Sequence, residues 1–404
     1  MIVETTHGKV RGAGGAFRGI PYAHQHRFQP PAKAPAWTGV RDALEPGPAP
    51  VQPPSRLEAV VGPMSLPQSE DCLSLNVFTP SVTGSRPVLV WIHGGAFVTG
   101  SGGQDWYDGT RLSQEADAVV VTVNYRLGVF GFLALDGVSR PNLGIADQLA
   151  ALEWVRDNIA AFGGDPGRVT LGGQSAGAQS ALALWSAPRA QGLTHQVALQ
   201  SAPVGMVPQT PEEAAGWAAE YLDVLGLDPS RAHGLATLPA DQLLNGMTEL
   251  AVRHRGPWRI APPFQLVADQ DLVAGDLVAA VRPGPALVSW TRDETRIYNV
   301  TAPQEEVDEY TAKIFSGDLP RLAKQFGPDA TLMRFDWAAP GNPYGAGHCV
   351  DVGFLFGTQD RARGAALLEG APAGLTEVDD LRRVWTAFLH GERPVIDSPL
   401  LTAF

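Results

Sequence analysis

One serine in this chain stands where a serine can become a nucleophile. Gly173-Gln174-Ser175-Ala176-Gly177 fits the G-x-S-x-G turn. The apolar run Val169-Thr170-Leu171 leads into it, and the alanine-rich segment from Ala178 to Trp185 reads as a helix after it. That order puts the serine at the tip of a strained turn, where only glycine lets two backbones approach closely. A helix that begins at the serine offers free amides and its positive end to a tetrahedral oxyanion. The chemistry implied is acyl transfer. A serine hydroxyl is a weak nucleophile, so it needs a base, and the base needs an orienting acid. Nine histidines are available. His7, His24, His26, His195, His233, His254 and His390 lack a glycine context and read as surface or structural. His348 ends Tyr344-Gly345-Ala346-Gly347, small residues suited to a loop that brings an imidazole to a serine. For the acid, Asp293 and Glu294 follow the apolar run Ala286-Leu287-Val288-Ser289-Trp290. The residues alone leave three readings open: either acid orients the base, or both lie on a solvated turn.

The elements that must position these groups show in the apolar pattern. Val88-Leu89-Val90-Trp91-Ile92 is unbroken, as in a central parallel strand buried on both faces. It runs into His93-Gly94-Gly95-Ala96-Phe97, where glycine lets amides turn into a site at the carboxyl end of the strand. The loop resembles the HGGG-type oxyanion loop of esterases and lipases, and that resemblance makes Gly95 and Ala96, with Ala176 after the serine, the candidate oxyanion donors. In the α/β-hydrolases that this pattern resembles, the base follows the nucleophile and the acid, so His93 comes too early in the chain. Ala118–Val123, Val197–Gln200 and Thr331–Trp337 are further strands, and Glu70–Val77 alternates like a half-buried one. Residues 144–162 carry the clearest helical periodicity, and Leu381–Leu389 reads as a C-terminal helix. Alternating strands and helices mean an α/β class with a mostly parallel sheet. Short edge strands are expected around Val3, Lys9-Val10 and Phe17–Ile20, and a surface loop over 56–69. Gly12–Gly15 has no buried strand before it and no helix after it, so it is no dinucleotide site. From about 205 to 280 the pattern turns helical. Thr210-Pro211-Glu212-Glu213 is a capping box, and Pro239–Met247 is a further helical piece.

The segment Phe162–Gly177 resembles the active-serine signature of the type-B carboxylesterases, which include cholinesterases and bacterial p-nitrobenzyl esterases. Glu70–Val77 is similar to the family's second signature. Gly19–Ala23, the His93–Phe97 loop, the His348 region and Trp385–Phe388 match its other landmarks in order. The resemblance implies an α/β-hydrolase fold: a central mostly parallel sheet, flanked by helices, in one catalytic domain over 1–404. Residues 205–280 would form a reduced helical cap. It implies a serine carboxylesterase with Ser175 as nucleophile, Glu294 as acid and His348 as base. The family's Asp-Glu-Gly appears here as Asp293-Glu294-Thr295, with Asp293 the second choice. Gln174 replaces a usual glutamate, which removes a charge beside the nucleophile. Shortened rim, cap and tail imply a shallow, open gorge and short to medium acyl chains. The glycine-rich loop, with Ala96 in place of a third glycine, implies slow attack on esters of tertiary alcohols. Cholinesterase-like relatives pair a cysteine at the position of Cys72 with one upstream, and the matching stretch Pro48–Gln52 has none.

Composition bounds the alternatives. The chain has 404 residues, 44% hydrophobic and 18% charged, which is ordinary for a packed protein. A net charge of −12 speaks against nucleic acid or an anionic membrane as partner. No apolar run reaches the about 18 residues of a membrane span. Two cysteines build no disulfide framework. Unpaired thiols and a start without a basic-then-apolar leader imply the cytoplasm. No H-E-x-x-H, paired C-x-x-C or Walker lysine is present, so neither metal nor cofactor is expected. The expected partner is a small-molecule ester. An amidase or carbamate hydrolase on the same triad, or a non-catalytic binding relative, are the alternatives.

Overall fold

Among the described residues, nine strands line up in one mixed sheet. They are β1 (Ala16–Pro21), β2 (Ser74–Phe78), β3 (Arg86–Ile92), β4 (Val119–Val123), β5 (Gly164–Gln174), β6 (Gln196–Gln200), β7 (Ala286–Thr291), β8 (Ala330–Phe335) and β9 (Leu401–Ala403). Their spatial order is β9-β8-β7-β6-β5-β3-β4-β2-β1. The computed structural model describes residues 1–256, 258, 260–358, 364–371 and 379–404. Every pairing from β4 through β8 is parallel, and the pairings at the two edges are antiparallel. This is the α/β-hydrolase arrangement.

The unbroken apolar strands are those buried on both faces. Along β3, Val88, Val90 and Ile92 pack into one core with Ile145, Leu149 and Leu182. Leu89 and Trp91 point the other way, into a core with Phe356 and Trp385. The ring of Trp91 lies 5.8 Å from Trp385 and 5.2 Å from Phe356. The first core holds the helices α1 (Leu143–Asn158) and α2 (Ala176–Ser186), and the second holds the C-terminal helix Asp379–Leu389.

Register brings the strand ends level. Ile92 pairs with Val123 on one side and Gly173 on the other; Gln174 pairs with Gln200, and Gln200 with Ser289. The residues just past these pairs therefore share one rim of the sheet, the end where open α/β sheets bind ligands. Between β6 and β7 the chain leaves the sheet for two helices, Pro211–Val224 and Ala240–Arg253, with a 3-10 stretch at Pro229–Thr237. The Thr210–Glu213 capping box forms in both directions.

Several expectations need correction. The strand expected over Glu70–Val77 starts only at Ser74, and it is buried on both faces. Its alternation arises because Asn76 is satisfied internally, by the Gly102 carbonyl at 3.1 Å and Thr122 Oγ1 at 2.9 Å. The loop expected over 56–69 contains a four-residue helix, Glu58–Val61, and the short strand Gln68–Ser69. The edge strand β9 had no sequence signal, because three residues are too short for a period.

Candidate active site

Ser175 sits between β5 and α2 with φ 57° and ψ −126°. A side chain in that region is strained, and the surroundings hold it there. A Cβ on Gly173 would lie 2.5 Å from the Gly177 carbonyl carbon. A Cβ on Gly177 would strike the Ile92 carbonyl oxygen. Gly173 is thus demanded by the tightness of the turn itself, and Gly177 by the contact between the turn and β3.

The loop after β3 is bent more sharply still. Gly95, Ala96 and Phe97 have φ of 117°, 55° and 61°. Phe97 anchors the loop by packing on Phe132 at 4.8 Å, and the amides of Val98 and Thr99 both donate to the Gly95 carbonyl at 3.0 Å. His93 is a buried strut beneath it. Its ring stacks on Tyr125 at 4.5 Å, and burial lowers its pKa to about 4, so it stays neutral. Its Nδ1 donates to the Gly94 carbonyl at 2.8 Å. Among the described residues, the amides of Gly95, Ala96 and Ala176 donate to no protein acceptor. All three residues line the cavity that Ser175 lines.

The two acids after β7 diverge. The Glu294 carboxylate is fully buried; Oε1 accepts from the Thr291 amide at 2.8 Å and Oε2 meets His348 Nδ1 at 2.5 Å. Asp293 accepts from the Ala346 amide at 2.9 Å, from Arg292 and from Gln304. Asp293 therefore braces the loop that carries His348, while Glu294 touches the imidazole.

His348 is 1% exposed and lines the same cavity as Ser175. With Nδ1–H donating to Glu294, Nε2 carries a lone pair. That lone pair is met by the Gln174 amide nitrogen at 3.0 Å, and Ser175 Oγ makes no hydrogen bond to a described residue. The same amide reaches Cys349 Sγ at 3.4 Å. Burial disfavours the imidazolium, but Cys349, Tyr298 and the Glu294 carboxylate outweigh it and hold the His348 pKa well above its ordinary value.

Sequence reading missed the groups behind the imidazole. Asp351 is fully buried, and neither carboxyl oxygen has a hydrogen-bond partner among the described residues. Burial first, and the Glu294 charge second, raise it to about 7. Gln200 stands beside it without meeting hydrogen-bond geometry, and Ser201 just past β6, with Ser289 and Thr291 of β7, also leave hydroxyls without a partner among the described residues. No periodicity marks such a group, because it is assembled from three separate strand and loop ends.

The cavity over Ser175 and His348 has a volume of about 170 Å³, and its walls include Trp106, Tyr107, Met206 and Phe315. A second lobe of about 530 Å³ adjoins it at Gly95, Ala96 and Tyr298, and is lined by Trp217, Met247 and Phe264. Cys72 is buried, Cys349 is half-buried, and neither is bridged. Among the described residues no helix is long and apolar enough to cross a membrane, and no cluster of His, Cys, Asp and Glu could hold a metal ion.

Comparison with known proteins adds four findings. Residues 1–326 match the profile of the carboxylesterase family. The chain is 40% identical to a probable N-octanoylanthranilate hydrolase of Rhodococcus erythropolis, over 96% of this chain and 91% of that protein. It is 35% identical to the para-nitrobenzyl esterase of Bacillus subtilis strain 168, over 98% and 91%. A solved structure of a PNB esterase superposes with a TM-score of 0.90 at 32% identity, covering 100% of this chain and 93% of that one.

Proposed function

From the premise that the chain belongs to the carboxylesterase family and is a carboxylic ester hydrolase of small-molecule substrates, we propose that it works through an acyl-enzyme on Ser175, with His348 as base and Glu294 as orienting acid. The observation that carries this reading is the buried His348–Glu294 contact at 2.5 Å in the wall of the cavity that Ser175 lines. His348 Nε2 takes the hydroxyl proton as Ser175 Oγ attacks the carbonyl carbon. For that, Nε2 must first leave the Gln174 amide, so substrate entry coincides with release of that contact. The tetrahedral oxyanion is held by the amides of Gly95, Ala96 and Ala176, which have no competing acceptor. The imidazolium then protonates the leaving alcohol, and water repeats the cycle on the acyl-enzyme.

The left-handed loop at Gly95–Phe97 favours tolerance of bulky alcohols, and the small volume over Ser175 favours short to medium acyl chains. Residues 205–280 would act as the cap of a single catalytic unit, and the two free thiols fit a cytoplasmic setting. A second reading, amide hydrolysis on the same residues, is favoured by the similarity to a hydrolase named for an N-acyl substrate. The test is a burst of p-nitrophenol on mixing with p-nitrophenyl butyrate, together with organophosphate labelling located at Ser175 by peptide mass spectrometry. Absence of both would sink the proposal. A matched ester and anilide of one acyl group separates the two readings.

A further inference from the structure

Arg56 stands at the junction of the two lobes and lines both. Its guanidinium donates to the Ile260 carbonyl at 3.0 Å and lies 5.5 Å from the centre of the Tyr298 ring. That ring is in turn 6.2 Å from the imidazole of His348. The cation is thus placed at the rim of the reaction centre, with part of its surface open to solvent. It has no carboxylate partner among the described residues, whereas most of the described arginines are paired. The acids that could neutralise it are few. Among the described residues, no Asp or Glu lines the larger lobe, and the smaller has only Glu58, an exposed residue of the short helix beside Arg56. Glu220, near the larger lobe, is engaged with His254 at 2.7 Å. The floor offers Gln174, a neutral amide, beside the nucleophile. In a chain of net charge −12 this mouth is a local exception.

A guanidinium has five N–H donors in a planar fork, and a single carbonyl uses only part of it. The remaining edge suits a carboxylate taken bidentately. We infer that Arg56 is a substrate-recognition residue, and that the preferred substrates carry a carboxylate on one half of the molecule while the other half fills the opposite lobe. This rests on the Ser175–His348–Glu294 reading, because the distances above are measured from that centre.

Two matched pairs test it. One puts the charge on the acyl half: mono-4-nitrophenyl glutarate against 4-nitrophenyl pentanoate. The other puts it on the leaving group: 4-carboxyphenyl butyrate against phenyl butyrate. The quantity read is the ratio of kcat/KM, charged over neutral, in wild type, Arg56→Ala and Arg56→Lys. In at least one pair the ratio should fall about fivefold in Arg56→Ala, mainly through KM, as an ion pair at a half-open site is worth roughly 1 kcal/mol. Lysine should restore part of it, and added salt should lower the wild-type ratio. The pair that responds identifies the half of the substrate that faces Arg56. Ratios unchanged in both pairs, or a wild type that accepts only the neutral members, overturn the inference while the esterase reading stands. A wild type that turns over none of the four esters removes the catalytic reading instead.

Discussion

The floor and the mouth of this site are built in opposite ways. At the floor, Ser175, Glu294 and His348 emerge directly from the ends of β5 and β7 and from a loop tied to them by the Ala346–Asp293 and His348–Glu294 backbone contacts. Glu294, His348, Gln174 and Asp351 are all within 1% of full burial. At the mouth, Arg56, Leu57 and Ile260 come from a loop and from the insertion between β6 and β7, and Arg56 itself is exposed. Floor groups are over-determined by neighbouring strands, so a small displacement there acts on the chemistry. Mouth groups are held by few contacts, so a change there acts on the choice of substrate.

The first way to break that division is at the floor. Ser175→Ala and His348→Ala should each lower kcat by roughly 10⁴- to 10⁶-fold. Glu294→Gln should cost less, since nucleophile and base remain. Asp293→Asn should cost least, because its carboxylate braces a loop. A steady-state assay with p-nitrophenyl butyrate orders the four, and an Asp293 variant worse than the Glu294 variant would reassign the acid. Next in size is Ala96→Val. A β-branched residue at φ 55° is strained and displaces a donor amide worth roughly 10²- to 10³-fold. The wild-type loop should also allow slow hydrolysis of tert-butyl acetate, measured by pH-stat against the Ser175→Ala protein. A rate no higher than that blank would remove the tertiary-alcohol reading alone.

Smaller effects sharpen the comparison through pH. Activity requires the neutral imidazole, and the His348 pKa is raised, so kcat/KM should fall with acid at a pH above the ordinary imidazole range. Gln174→Glu puts a negative charge where the amide now meets Nε2, which favours the imidazolium. Its acid limb should therefore move to higher pH still, and a limb that stays in place would show that Gln174 does not bear on the base. The smallest effect concerns Asp351. Its folded pKa, about 7, lies above the unfolded value of about 3.9. Protonated in both states, it has no linkage cost below pH 4. As pH rises from 4 to 7 the unfolded chain ionises first, so stability falls. Asp351→Asn should thus raise Tm at pH 7 relative to wild type by more than at pH 4, as differential scanning calorimetry would show. An equal change at both pH values would mean the carboxyl titrates normally.

What could be read from the chain alone was what is local. The G-x-S-x-G turn, the glycine loop after Val88–Ile92 and the small residues before His348 announce themselves, because strained φ values and close backbone approach demand particular residue types within a few positions. The buried strands showed for a similar reason: two covered faces require an unbroken apolar run. The residues alone left Asp293 and Glu294 open, one position apart on the same loop. The direction each side chain takes, toward the Ala346 amide or toward His348, depends on how that loop packs against another fifty residues on. Gln174 on Nε2, Asp351 held near neutrality and Arg56 stacked over Tyr298 are likewise properties of tertiary structure. Desolvation and charge add up over atoms close in space and far apart in sequence, and no pattern along the chain records that sum.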